Sequence, residues 1–113
     1  MAYTDEDLLT QLKRAAKKYD PEMHTPSEAE KEFGVGTEPL VRFTMKDGRI
    51  VALCRVVDDG AAILWDVLRV ADEEGPFPYD DRRNEKHEGL GGERPNIATL
   101  VQKIEAAADS IAE

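Results

Sequence analysis

Val41-Arg42-Phe43-Thr44-Met45-Lys46-Asp47-Gly48-Arg49-Ile50-Val51-Ala52-Leu53-Cys54-Arg55-Val56-Val57 is the stretch on which the fold turns. Val41, Phe43 and Met45 alternate with Arg42, Thr44 and Lys46. In an extended chain successive side chains point to opposite faces, so this alternation predicts a half-buried strand from Val41 to Lys46. Asp47-Gly48 suits the positive φ angles of a two-residue hairpin turn. The β-branched run from Arg49 to Val57 supplies the returning strand.

Working outward, Asp58-Asp59-Gly60 is a second turn, and Ala61 to Val70 carries Ile63, Leu64, Trp65, Val67, Leu68 and Val70. As a helix this run would set Ile63, Val67 and Val70 on one side. The hairpin-type turn before it and its short length favour a third strand, completing an antiparallel meander.

Upstream, Thr4 is placed to cap a helix with Asp5, Glu6 and Asp7 in its first turn and Lys13, Arg14, Lys17 and Lys18 later, an order that suits the helix dipole. Leu8, Leu12, Ala15 and Tyr19, widened by Leu9 and Ala16, form a stripe that must be buried, and Asp20-Pro21 ends it. Thr25-Pro26-Ser27-Glu28 predicts a second, short helix capped by Thr25, burying Ala29 and Phe33 and closing at Gly34.

Downstream, Asp72 to Pro95 holds eight acids and four bases without apolar periodicity and reads as a long polar loop. Loops of that length inside a compact domain tend to be functional or disordered. Asn96 then caps a last helix with Ile97, Leu100, Val101, Ile104, Ala107, Ala108 and Ile111 on the face that covers the sheet. The expected fold is a single α+β domain over residues 1–113: N-terminal helices, a three-stranded antiparallel meander, a loop at 72–95 and a C-terminal helix.

Asp and Glu number 24 against 15 Lys and Arg, a formal charge of -9. Such a field repels nucleic acid and anionic lipid and favours basic partners, although acidity also serves solubility and names no partner by itself. No apolar stretch reaches the ~18 residues of a membrane span. Met1-Ala2-Tyr3-Thr4-Asp5 has no signal-peptide character, so a cytoplasmic protein is expected. Cys54 is the only cysteine and lies in an apolar run, where a thiol packs as a small core residue.

Phe33, Val35, Leu40 and Phe43 fall on the apolar positions, and Gly34 on the turn glycine, of a pattern that resembles the turn and second helix of a helix-turn-helix family. The resemblance implies a helix starting at Thr37, a hairpin of 49–57 with 61–70, and a winged-helix regulator that binds nucleic acid. It departs at Glu30, where the family carries a small residue, and at Glu38-Pro39, which would open the reading helix with an acid. The alternation of Val41, Phe43 and Met45 argues for a strand across the same residues.

For sites, Phe77 and Tyr79 sit among prolines in Gly75-Pro76-Phe77-Pro78-Tyr79-Asp80, as stiffened interface anchors or as a lid over one end of the sheet. Asp80, Asp81, Arg82 and Arg83 beside them offer charge-assisted recognition of a partner surface. The glycines of His87-Glu88-Gly89-Leu90-Gly91-Gly92 lack the phosphate-loop order. His24, His87 and Cys54 show no paired ligand spacing, and Asp58-Asp59-Gly60 lacks the alternating ligands of a calcium loop, so neither metal nor cofactor is expected. Ser27, Ser110 and Cys54 occupy no recognised activated setting, and no catalytic residue is assigned.

The leading expectation is a small acidic protein-binding module, of the inhibitor, immunity or phage-type accessory kind, acting on a more basic protein through Phe77, Tyr79, Asp80, Asp81, Arg82 and Arg83. The alternatives are the winged-helix regulator and a small enzyme with a carboxylate-based site. A homodimer through a sheet edge, or through the apolar Ile63 to Val70 segment where it is incompletely covered, is the other association the pattern allows.

Overall fold

A computed structural model describes residues 4–34, 36–57, 60, 62–70, 79–89 and 97–112, with backbone alone for 29, 33 and 79–89. Helix α1 spans Asp5–Ala15, strand β1 Glu22–His24, helix α2 Glu28–Phe33, β2 Leu40–Met45, β3 Ile50–Val57, β4 Ala62–Val70, β5 Tyr79–Gly89 and helix α3 Ile97–Ala112. The five strands form one antiparallel sheet in chain order. This is an α+β fold with α1 and α3 packed on one face of a meander. No described helix is long and apolar enough to cross a membrane.

The period-two reading holds through β2, β3 and β4. Phe43 pairs with Ala52 and Ala52 with Val67, and all three lie on the helix-covered face. Leu8, Leu12 and Ala16 of the N-terminal segment and Leu100, Val101 and Ile104 of α3 close over that face. The Tyr19 ring stacks on Phe43 with centroids 5.8 Å apart, and its hydroxyl donates to Glu105 at 2.6 Å. The opposite face is buried at its centre too: Leu40, Val51, Leu53 and Leu68 cluster there, none more than 3% exposed. Among the described residues, Nε of Arg42 and Nε1 of Trp65 are buried without a hydrogen-bond partner.

Several expectations are corrected. The winged-helix alternative loses its basis, because Leu40–Met45 is a strand where a reading helix would have to lie. Residues 79–89 form β5 rather than loop, while 72–78 and 90–95 lie outside the described residues. The hairpin at Asp47-Gly48 is wider than two residues, since Met45 pairs with Ile50 and residues 46–49 make the turn. Lys46, Asp47 and Gly48 there all have positive φ, at 52°, 57° and 87°. Left-handed backbone costs an ordinary L-residue roughly 1–2 kcal/mol. Side-chain contacts tether this turn: Arg49 Nε donates to the Lys46 carbonyl, and the Lys46 ammonium pairs with Asp109 of α3.

The helix ends also shift. Thr4 makes the expected cap, and Asp7 returns a bond to it, but α1 stops at Ala15 and a 3₁₀ turn covers Lys17–Tyr19 before Asp20 turns left-handed. Ala16, four residues after Leu12, is buried with the stripe, whereas Ala15, also expected on it, is exposed. For α2 the cap is Ser27 with Glu30, two residues later than Thr25 with Glu28, while Gly34 closes the helix as expected with φ 101°. The Ala29 and Phe33 side chains lie outside the described residues.

β3 outruns β2. Continuing the register of Val41 with Cys54 would bring Pro39 opposite Val56, one residue before β2 begins at Leu40. The Val56 amide instead donates to Oδ1 of Asp5, in the first turn of α1, at 2.7 Å. A helix carboxylate thus completes a ladder that the chain around a proline leaves short.

Candidate functional site

The sheet has two edges, and five of the anticipated binding residues, Tyr79, Asp80, Asp81, Arg82 and Arg83, lie on one of them. β5 pairs with β4 in continuous register from Ala62 with Gly89 to Leu68 with Arg83. On the helix-covered face Ile63, Trp65 and Val67 pair with Glu88, Lys86 and Asn84; on the other, Leu64, Asp66 and Leu68 pair with His87, Glu85 and Arg83. Every one of those β5 positions carries a polar residue, so no apolar stripe runs along this strand. The register then slips: Val70 pairs with Tyr79, leaving Asp80, Asp81 and Arg82 opposite Arg69 alone in a bulge. Tyr79, Asp80, Asp81, Arg82 and Arg83 are therefore strand and bulge residues, not loop residues, and Phe77 lies outside the described residues.

The other edge is β1, three residues long and paired only with β2 among the described residues. It is anchored from behind. Glu30, 2% exposed, takes the Ser27 amide at 2.8 Å and His24 Nε2 at 2.7 Å on the same carboxylate oxygen. Met23, between Glu22 and His24, pairs with Val41 and so stands on the helix-covered face. At 40% it is the one large apolar side chain among the described residues that is exposed.

Met23 lines an open cleft of about 580 Å³ with Thr4, Asp5 and Glu6 at the start of α1 and with Glu38 and Pro39 on the approach to β2. The cap at Thr4 places the first turn of α1 here, Asp5 fastens it to β3, and Pro39 turns the chain into β2. Three carboxylates consequently border one exposed thioether. Sequence reasoning missed this site because its residues come from three separate segments and each has an ordinary local role. The only local signal was a Met between charged residues after Asp20-Pro21, in a segment too short to show a period.

Elsewhere the polar groups are spent on structure. Cys54 is buried at 1% exposure, and burial, with Asp66 and Asp5 adding to it, pushes its thiol far above the ordinary range, so it packs as a small core residue. Ser27 caps α2, and Ser110 lies exposed near the end of α3. Among the described residues no group of three or more His, Cys, Asp or Glu side chains is arranged to hold a metal ion. Comparison with family models, curated proteins and solved structures finds no match to this chain.

Proposed function

We propose that this chain is a small acidic protein-binding module that acts on a more basic partner and uses the cleft beside β1 as its docking side. The observation that carries the reading is the cleft itself, where Asp5, Glu6 and Glu38 surround exposed Met23. Interface hot spots combine a desolvated apolar anchor with a charged rim, and methionine adapts readily to the shape it meets. The overall charge of -9 steers a basic partner toward the molecule, and the local carboxylates fix where it settles.

The test uses the partner captured on immobilised protein, titrated by calorimetry. Raising salt from about 50 to about 500 mM should weaken binding by roughly tenfold or more, because rim charge pairs are screened. Glu6→Lys with Glu38→Lys should abolish binding, while Asp80→Asn with Arg82→Gln on β5 leaves it unchanged. Affinity indifferent to salt overturns the reading, and loss confined to the β5 variant moves the docking side to Tyr79, Asp80, Asp81, Arg82 and Arg83.

A further inference from the structure

The two edges differ in how they treat an incoming strand. β5 is guarded. It is polar on both faces, and its bulge at Asp80, Asp81 and Arg82 interrupts the regular edge, both devices by which sheets refuse further strands. A second copy meets a further obstacle. Across a two-fold axis, opposed residues must share a face, so the registers centred on Lys86 or Glu85 set each of these residues against itself. The register centred on Asn84 runs Lys86 against Arg82.

β1 is guarded on one side only. It is three residues long, with Glu22 exposed on the face away from the helices. It has no bulge among its pairs with β2, and on the helix-covered face it presents exposed Met23. The acidic cleft opens on the face where Met23 stands. Resting on the docking side proposed above, we infer that the partner supplies an extended basic segment that adds to β1 as a sixth strand. One apolar side chain of that segment lies over Met23, and a Lys or Arg two residues from it toward the Thr25 side, on the same face, is directed at Glu38, Asp5 and Glu6. The flank at the level of Pro21 meets Lys13 and Lys17 and is neutral. The spacing follows from the period of two along a strand, and charge complementarity selects the one basic flank.

Two blocked peptides of identical composition separate this mode from plain electrostatics. Arg-Thr-Ile-Thr-Thr puts Arg and Ile on one face, whereas Thr-Arg-Ile-Thr-Thr puts its base on the face away from Ile. By fluorescence anisotropy on the intact chain, the first should bind about threefold tighter, since the second turns its base away from the cleft carboxylates. N-methylation of the first peptide at one alternate set of amides should abolish binding, and at the other set leave it, because only one set faces β1. Met23→Lys should remove binding while Trp65 emission stays that of a buried indole. Equal affinity for the two peptides, or indifference to which amides are methylated, overturns strand addition while leaving the acidic docking side standing. Binding of neither peptide overturns the strand mode, and the docking side is then judged by its own salt and Glu6/Glu38 test. A chain that sediments as a dimer, dissociated by Met23→Lys, makes a second copy the occupant and also overturns the inference.

Discussion

β1 and β5 hold equivalent places as the outermost strands of one sheet, yet they are secured by different means. β1, paired with β2 over three residues, is also pinned by a side chain: buried Glu30 of α2 holds His24 and the Ser27 amide together. The 11 residues of β5 are fixed by ladder pairing with β4, with polar residues at the paired positions of both faces. A strand anchored from behind can leave its outer edge short and open. One that depends on its own length presents a long row of backbone groups, which must be protected by charge and by a bulge. Between them β3 and β4 obey neither regime, because the middle of each is buried on both faces.

Three substitutions sharpen or break this contrast, each read from urea unfolding followed by Trp65, the chain's single tryptophan and a buried one. The largest loss is expected at the centre, where Leu53→Ala should cost ~2–5 kcal/mol through lost burial and a residual cavity. A cost near that of a surface change would show that the face opposite the helices is not a core. Next comes Glu30→Ala, expected to cost about 1–3 kcal/mol because two donors lose their buried acceptor. If it costs no more than a β5 change, β1 is not anchored as described. The smallest effect belongs to Arg82→Gln in the β5 bulge, expected within about 0.5 kcal/mol. A loss above that would mean that this strand is held by its side chains.

The same contrast explains what the sequence reveals. Alternation of Val41, Phe43 and Met45 with Arg42, Thr44 and Lys46 is legible because one face of that strand is apolar. β4 is legible as a strand despite apolar residues on both faces, since the turn before it sets the type. β5 leaves no such trace: Asp80-Asp81-Arg82-Arg83-Asn84-Glu85-Lys86-His87-Glu88 has no apolar member, so periodicity has nothing to report. β1 is too short for any period. The cap of α2 was misplaced by two residues because Thr25 and Ser27 are both competent, and the choice falls to Glu30, whose buried carboxylate also serves His24. The candidate cleft was illegible for a different reason, since the adjacency of Met23 to Asp5 and Glu38 is created by the sheet and by the docking of α1.

The bond from the Val56 amide to Asp5 ties the start of the chain to the middle of the sheet. Its consequence is dynamic. Among the described residues no strand flanks this amide on that side, so its exchange with solvent deuterium should be gated by departure of the first turn of α1 and report that event one proton at a time. The Asp5 carboxylate also borders the cleft, and a molecule lodged there would slow the exchange at Val56 without touching it, giving a single amide resonance as a gauge of occupancy.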